Sequence, residues 1–232
     1  MTHLEVQSWR TNSELVQAMF DIHVWPKKWV HNNEVDVLDP TYGRGIWWSW
    51  AEGTQVTPSG MVVVDDFLPH KHGRVNLTGH DIRQDGVDYR ALPEADESMD
   101  VVAFDPDYIA PGGRKTSTIG EFNDRYGLAR DYESPGALQT SINSGVVECA
   151  RVLRPQGIML VKCTNYISSG KVWLGEHHTI SAGLGAKLVV EDISVHLGAP
   201  GPQPERETRQ QHLRSNSSRM IVFRKPGRRS KK

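Results

Sequence analysis

Continuous apolar runs that end in an acidic residue are the feature that most constrains how this chain can fold. They are VDVLD (35–39), MVVVDD (61–66) and MDVVAFD (99–105). Such runs, without regular polar alternation, are typical of strands that are covered on both faces of a parallel sheet. Segments with helical spacing of apolar residues lie before and after them, and this alternation predicts an α/β fold with a mostly parallel sheet.

The remaining elements are predicted from the same patterns. Further strands are expected at 74–81, 158–163, 186–195 and 219–225, and helices at 11–22, 46–52, 138–153 and 171–183. The first helix begins with a Thr-x-x-Glu capping box from Thr11 to Glu14. Residues 109–136 lack periodicity, which predicts a flexible loop inserted into a single domain of residues 1–225. Residues 226–232 are predicted to form a disordered basic tail.

Composition narrows the functional classes. The 232 residues carry 27 basic and 28 acidic side chains, and six of the basic ones lie in the carboxyl-terminal segment RKPGRRSKK. That segment is typical of either a phosphate-seeking arm or a solvated terminus. No apolar run approaches the ~20 residues that span a bilayer, and the amino terminus lacks a signal-peptide pattern. Cys149 and Cys163 form no CxxC pair, so we expect reduced thiols in a cytoplasmic protein without membrane contact.

The loop after the first strand is a candidate ligand site, because ligands of open parallel sheets bind at the carboxyl ends of the strands. The sequence there is DPTYGRG, and Gly43 and Gly45 allow a sharp turn and a close approach of the backbone to a ligand. A helix starting near Ile46 would direct its amide groups at that ligand. The dinucleotide pattern G-x-G-x-x-G is absent, because Trp48 stands at its third glycine. Asp39 would repel a pyrophosphate and favours a ligand with a positive centre.

Two further strands are predicted to offer carboxylates at the same edge. Asp65 and Asp66 end the strand at 61–66 and are expected to accept hydrogen bonds from ribose hydroxyls. Asp81 ends the next strand and is expected to contact an adenine amine. Together these acids suit a ligand that has a ribose, an adenine and a positive centre.

At this point the residues resemble a known family, the class I S-adenosylmethionine-dependent methyltransferases. VLDPTYGRG resembles their cofactor loop, and DPDY (105–108) resembles the [DNS]-P-P-[YFW] motif of members that methylate amino groups of nucleic-acid bases. The resemblance implies a Rossmann-like, mostly parallel seven-stranded sheet with helices on both faces and an antiparallel final strand, RMIVFRK. It also implies S-adenosylmethionine as the cofactor. The cofactor-binding residues would be Asp39, Pro40, Thr41, Tyr42, Gly43, Gly45, Asp65, Asp66, Asp81 and Ile82.

The chemistry of amine methylation explains the residue types of DPDY. An exocyclic base amine is a poor nucleophile, because its lone pair is delocalised into the ring. Asp105 and the carbonyl of Pro106 could each accept one N–H, aim the lone pair at the methyl group and stabilise the developing charge. Tyr108 offers a stacking face for a flipped base. Asp107 departs from the family pattern, which has a second proline there. It alters the base preference, accepts a proton or marks a degenerate site.

Four more residues are predicted to contact the substrate. Arg114 and Lys115, in the inserted loop, are candidates for phosphate contacts. Lys162 and Asn165, at the end of the strand at 158–163, are expected to line the base site. No metal is required, because the cationic cofactor already provides a good leaving group.

The substrate is left open by the sequence. Adenine N6 in DNA is the first hypothesis, and DNA is favoured over RNA as the partner. Guanine N2 or adenine N6 in ribosomal or transfer RNA is the alternative. A non-catalytic nucleic-acid-binding subunit of the same fold is a third hypothesis, because Asp107 departs from the motif of the catalytic members. A nicotinamide-dependent oxidoreductase is disfavoured, because its glycine fingerprint is missing.

Overall fold

The structure is a computed structural model, and it describes most of the chain. The described residues are 11–27, 34–50, 54–56, 61–64, 74–107, 134–168, 170–197 and 217–228, with the backbone alone at 54–56 and 61–64. The predictions for Asp65, Asp66, Tyr108, Arg114 and Lys115, and most of the inserted loop, lie outside these residues.

Three α-helices and two shorter helical turns are present in this part of the chain. They are α1 (Asn12–Met19), a π-helix (Phe20–Val24), a 3-10 turn (Ile46–Trp48), α2 (Pro135–Val152) and α3 (Gly175–Gly185). The predicted capping box is confirmed, since Thr11 Oγ1 accepts from the Glu14 amide at 3.1 Å and the Glu14 carboxylate accepts from the Thr11 amide at 3.3 Å. Ser134 caps α2 in a similar way. None of these helices combines the length and apolar character needed to cross a membrane.

The strands form one large sheet and a separate hairpin. They are β1 (Glu34–Asp39), β2 (Thr54–Val56), β3 (Met61–Val64), β4 (Arg74–Gly79), β5 (Met99–Phe104), β6 (Leu153–Cys163), β7 (Asn165–Ser168), β8 (Lys171–Leu174), β9 (Val189–Leu197) and β10 (Ser217–Arg224). The sheet order is β2-β3-β4-β1-β5-β6-β10-β9, and β7 pairs with β8. The neighbours β4, β1, β5 and β6 are parallel and form the centre of the sheet. The Rossmann-like fold is therefore confirmed, as is the antiparallel direction of the final strand β10.

Two details of the predicted sheet are wrong. The sheet has eight strands among the described residues instead of seven, because β2 and β3 form an antiparallel edge pair. Strand β3 also runs antiparallel to β4. Its carboxyl end, which precedes Asp65, therefore lies at the opposite edge of the sheet from the carboxyl ends of β1 and β4. The apolar run alone did not report this direction, since a buried strand looks the same in either sense.

The sheet is covered on both faces, as predicted. On one face α1 and the two helical turns bury Leu15, Phe20 and Trp48 against Val37 and Val101. The second face is covered by α2 and α3, which pack on a different set of strand residues: Leu38, Val102, Phe104, Val161 and Phe223. Removing one such side chain from water contributes about 1.5–3 kcal/mol to folding. Cys149 and Cys163 are buried and free, which agrees with the expectation of reduced thiols.

Three predicted helices differ from the structure. The helix expected at 46–52 is only a 3-10 turn, because the indoles of Trp47 and Trp48 are buried against the sheet directly after the loop. The helix expected at 171–183 is replaced by strand β8 followed by α3, since Gly170, at φ +71°, turns the chain into the β7–β8 hairpin. Helix α2 begins at Pro135, so the last residues assigned to the inserted loop belong to a helix.

Candidate active site at the carboxyl ends of the strands

The carboxyl ends of three neighbouring strands bring the predicted motifs together. Asp39 ends β1 and lies beside Gly79 of β4 in the parallel register. On the other side of β1, β5 runs parallel and leads directly into Asp105. The loop of residues 40–45, Asp81 after β4 and Asp105 to Asp107 after β5 therefore share one edge of the sheet.

Asp39 organises the loop of residues 40–45. Its Oδ1 accepts hydrogen bonds from the Thr41 amide at 3.0 Å and the Thr41 hydroxyl at 3.2 Å. Its Oδ2 accepts from the indole N–H of Trp48 at 2.7 Å. The side chain is 3% exposed, and burial raises its pKa from 3.8 to about 7, with Asp105 adding to the rise and the hydrogen bonds of Trp48 and Thr41 opposing it. Asp39 therefore shapes the loop from beneath, and its direct contact with a cofactor stays a prediction.

The glycines in and beside this loop are required for different reasons. A Cβ on Gly45 would lie 2.5 Å from the Tyr42 hydroxyl, and one on Gly79 would lie 2.7 Å from the Tyr42 ring. These two glycines therefore make room for the phenol of Tyr42. Gly43 has φ +53°, and a Cβ there would meet no atom closer than 3.7 Å. The backbone of Gly43 is thus the part of the loop that an external ligand can approach.

Asp81 faces that open backbone. Its Oδ2 lies 4.0 Å from where a Gly43 Cβ would stand. Gln84 Nε2 donates to the Gly43 carbonyl at 2.8 Å and to Asp81 Oδ2 at 3.3 Å, so it ties the two segments together. Because β4 is the neighbour of β1, Asp81 lies after a strand end at the same edge as Asp39, where the sequence predicted it. Ile82 follows it and is partly buried.

His80 is a residue of this edge that the sequence analysis missed. Its Nδ1 lies 2.7 Å from Asp85 Oδ2 and its Nε2 lies 2.7 Å from Glu94 Oε1. Its backbone bonds both to Asp39 and to Tyr42. The sequence GHD gave only one signal, a histidine beside a candidate acid, and its carboxylate partners lie up to fourteen residues away.

Asp105 is joined to the cofactor loop through its backbone. Its amide donates to the Thr41 hydroxyl at 2.8 Å. Its Oδ1 is closed to solvent and has no hydrogen-bond partner among the described residues, and the same is true of the nearby Trp47 Nε1. Burial raises the pKa of Asp105, while Lys162 and the Trp47 indole lower it. A carboxylate oxygen that is buried without a hydrogen bond costs about 1–3 kcal/mol, so this strand end carries an acceptor for which the described residues supply no donor.

The remaining predicted residues are placed as follows. Lys162 is buried, lies within electrostatic reach of Asp105 and donates to Asn12 Oδ1 of α1 at 2.8 Å. Asn165 does not line this site by its hydrogen bonds, because it holds the start of α3 through both the amide and the carboxylate of Glu176. Pro106 is buried and Asp107 partly buried. No group of three His, Cys, Asp or Glu side chains in the described ranges is arranged to hold a metal.

A polar cavity of about 540 Å³ lies at the opposite edge of the sheet. Its charged residues sit on the amino-terminal halves of β1 and β5 and at the start of β6. Arg154 donates to Asp100 at 2.8 Å and to Asp36 at 3.2 Å. Asn76 donates to Glu34 at 2.8 Å and to Asp36 at 3.1 Å. The hydrogen-bonding groups of this cavity therefore have partners, and its three carboxylates outnumber the single guanidinium.

Comparison with known proteins adds likeness of fold. No protein-family model and no curated protein sequence matches this chain. A candidate DNA modification methylase of Thermus thermophilus, solved with S-adenosyl-L-methionine, is 15% identical with a TM-score of 0.42, over 62% of this chain and 56% of that one. A candidate methyltransferase of Bacillus halodurans is 12% identical with a TM-score of 0.47, over 91% and 98%. The [4+2]-cyclase SpnF is 14% identical with a TM-score of 0.48, over 93% and 81%.

The extent of these likenesses is limited. The match spans between 50% and 56% of the length of the Thermus methylase structures. Identities of 12–15% concern the fold alone.

Proposed function

We propose that this chain is an S-adenosylmethionine-dependent methyltransferase that methylates an exocyclic base amine in nucleic acid, with adenine N6 in DNA as the first substrate. The observation that carries the proposal is Asp105. Its Oδ1 is buried without a partner among the described residues, and its amide is bonded to Thr41 of the glycine loop. An acceptor of this kind, fixed beside a cofactor loop, suits a substrate that supplies an N–H.

The residues at the site fit the cofactor. The open side of Gly43 and the carboxylate of Asp81 form the cradle, since Asp81 follows the strand next to β1 and can accept hydrogen bonds from ribose hydroxyls. Gln84 and Asp39 fix the backbone of this cradle, through hydrogen bonds with the Gly43 carbonyl and the Thr41 amide. When bound, S-adenosylmethionine supplies a methyl group on a positively charged sulfur. The roles of Asp65 and Asp66 stay predictions.

Asp105 and Pro106 orient the amine in this proposal. The Asp105 carboxylate accepts one N–H and the Pro106 carbonyl accepts the other, so the nitrogen lone pair is held toward the methyl carbon. The methyl group that a bound cofactor would release from its sulfur would add to this nitrogen and leave positive charge on the amine. The Asp105 carboxylate then stabilises this charge, and one amine proton leaves along the hydrogen bond to it. The raised pKa of Asp105 makes that carboxylate a better proton acceptor than an exposed one.

The surrounding side chains have supporting roles. Lys162 is buried within electrostatic reach of Asp105 and favours its charged form. Tyr108 would stack on the flipped base, and Arg114 and Lys115 would contact the phosphate backbone. Asp107, in place of the family's second proline, adds a carboxylate beside the amine.

A methyl-transfer assay tests the proposal. The full chain is incubated with tritiated S-adenosylmethionine and, in parallel, unmethylated DNA, ribosomal RNA and transfer RNA, and the modified nucleoside is identified by mass spectrometry. We expect N6-methyladenine from DNA, and we expect Asp105→Ala to abolish it while cofactor affinity stays near that of the wild type. Asp96→Asn is the matched control, since that carboxylate is 76% exposed and pairs with Arg151.

The outcomes separate the hypotheses. Label in RNA alone would move the substrate to the RNA alternative. Cofactor binding without transfer to any nucleic acid would favour the non-catalytic subunit. Equal loss of binding and transfer in Asp105→Ala would contradict the role given to that carboxylate.

A further inference from the structure

His80 lies at the junction between the two strand ends that form the cofactor cradle. Its amide donates to the Asp39 carbonyl at 2.8 Å, and its carbonyl accepts from the Tyr42 amide at 2.9 Å. The residue is 8% exposed. The position of the His80 backbone therefore determines the position of the loop that follows Asp39.

The imidazole of His80 is held between two carboxylates. Asp85 Oδ2 lies 2.7 Å from Nδ1, and Glu94 Oε1 lies 2.7 Å from Nε2. A neutral imidazole has a single N–H, so it can donate to only one of them, and the other nitrogen would set its lone pair against a carboxylate oxygen. Only the imidazolium donates to both. The geometry thus requires a protonated His80 whenever both carboxylates are charged.

The direction of the pKa shifts agrees with this geometry. The hydrogen bond to Glu94 raises the pKa of His80, burial opposes the rise, and Asp85 adds to it. Burial tends to raise the pKa of Asp85, but the bond from His80 and the neighbouring backbone amides outweigh it and the net shift is downward. His80 and Asp85 therefore each favour the charged form of the other.

Glu94 cannot easily leave the clamp. Its side chain is 9% exposed, and its second oxygen, Oε2, is buried with no partner among the described residues. Arg151 of α2 donates to the Glu94 carbonyl at 2.9 Å and fixes the backbone. If His80 lost one proton, the remaining N–H could stay on Nε2 and donate to the buried Glu94, and Asp85, whose side chain is 33% exposed, would lose its donor.

We propose that the His80 imidazolium is a positioning residue for the cofactor, because its clamp between Asp85 and Glu94 holds the segment carrying Asp81 and Gln84 against the Gly43 loop. This role rests on the proposed function. Loss of the proton frees one arm of the clamp and loosens the cradle. The affinity for S-adenosylmethionine therefore decreases as the pH rises.

The sign follows from the shift of His80. Its pKa in the folded protein lies above the ordinary 6.5, so the clamp is complete below about pH 6.5 and is lost as the pH rises through the folded-state value. Other titratable groups face this region from the packed elements: Asp39 and Tyr42 from β1 and its loop, and Glu148, Cys149 and Arg151 from α2. Of these, Asp39 also titrates near neutral pH, at about 7, so its contribution must be separated.

The first test needs no cofactor. The ¹⁵N resonances of the histidine rings are recorded against pH, and the His80 signals are assigned by their absence from His80→Asn. We expect both ring nitrogens of His80 to carry protons at pH 6.5 and the loss of one proton to be centred above that pH. A ring that has already lost one proton at pH 6.5 would overturn the clamp whether or not the chain binds S-adenosylmethionine.

The second test measures binding. Calorimetric titration with S-adenosylmethionine from about pH 6 to pH 9 is expected to show an affinity loss of about tenfold in the wild type. His80→Asn should bind weakly with a flat profile. Glu94→Gln should flatten the profile while keeping affinity at high pH, because an amide can donate to or accept from a neutral imidazole.

A matched control isolates the effect. His23→Asn removes a histidine that meets a single carboxylate, Asp192 at 3.1 Å, and should leave the wild-type profile unchanged. Equal slopes in the wild type and His80→Asn would assign the pH dependence to Asp39 and overturn the positioning role. Absence of binding by the wild type at every pH would overturn that role together with the proposed cofactor, and the ring resonances would still decide the clamp.

Discussion

The two edges of the sheet differ in whether their polar groups have hydrogen-bond partners. At the amino-terminal edge the polar cavity holds three carboxylates, Arg154 and Asn76, and they are joined by hydrogen bonds of 2.8–3.2 Å. At the carboxyl edge, Asp105 Oδ1, Trp47 Nε1 and Glu94 Oε2 are buried without partners in the described part of the chain. The first arrangement stabilises the fold. The second leaves polar atoms without partners among the described residues, at a cost to stability.

The largest expected effect is at Asp105. Asp105→Asn should lower the rate of methyl transfer by about 10²–10³, because the amide is a weaker acceptor at the point where positive charge develops. It should not lower the stability, since neutralising a desolvated carboxylate removes a cost. Single-turnover transfer and urea unfolding measure the two quantities. If Asp105→Asn stayed active and lost stability, Asp105 would have a structural role, like the charged residues at the amino-terminal edge.

Gly43 should show the next largest effect. Gly43→Val is expected to weaken S-adenosylmethionine binding by roughly tenfold or more, because valine fills the open side of the loop and about 1.4 kcal/mol is a factor of ten. Gly170→Val is the matched control, since Gly170 has φ +71° and no atom within 4 Å of its virtual Cβ. Both variants carry backbone strain of roughly 1–2 kcal/mol. Equal binding by the two, measured by calorimetry, would show that Gly43 is only a turn residue.

Asp39 should make the carboxyl edge sensitive to pH. Its folded-state pKa, about 7, lies above the ordinary 3.8, so the folded protein binds more protons than the unfolded chain between about pH 4 and 7. The stabilising effect of this proton is lost as the pH rises through that window. We expect Asp39→Asn to reduce the loss by on the order of 1 kcal/mol or more. Urea unfolding at the two ends of the window measures it, and identical slopes in both proteins would be the contrary result.

Arg154 should show the smallest effect. Arg154→Met removes a guanidinium that is 40% exposed, so the cost in unfolding free energy is about 1 kcal/mol. Cofactor affinity should not change, because the cavity lies at the far edge. A loss of binding in this variant, at unchanged stability, would show that the satisfied network also serves the site.

The sequence predicted the site better where a motif is local. Asp39, Gly43 and Asp105 were found because each follows a buried apolar run, and parallel strands bring such ends together. The direction of β3 was not predictable from MVVV, since an apolar run carries no information on strand sense. The roles predicted for Asp65 and Asp66 depended on that direction and stay predictions, whereas Asp81 was predicted at this edge from the strand that precedes it.

Contacts between distant residues could not be predicted from the sequence either. His80 pairs with Glu94, and Asn165 pairs with Glu176, and neither spacing indicates the pairing. The short turn at Ile46–Trp48 was mistaken for a helix, because three tryptophans in five residues look amphipathic until the sheet buries two of them. Packing decided each of these cases.

The hydroxyl of Thr41 serves both halves of the site at once. It donates to Asp39 Oδ1 at 3.2 Å and accepts the amide proton of Asp105 at 2.8 Å. A methyl donor that orders the loop of residues 40–45 would therefore also order the Asp105 backbone, where the acceptor would bind. In a kinetic study this would appear as an ordered sequence of binding, with the methyl donor entering before the acceptor, and Thr41→Val would turn it into a random one.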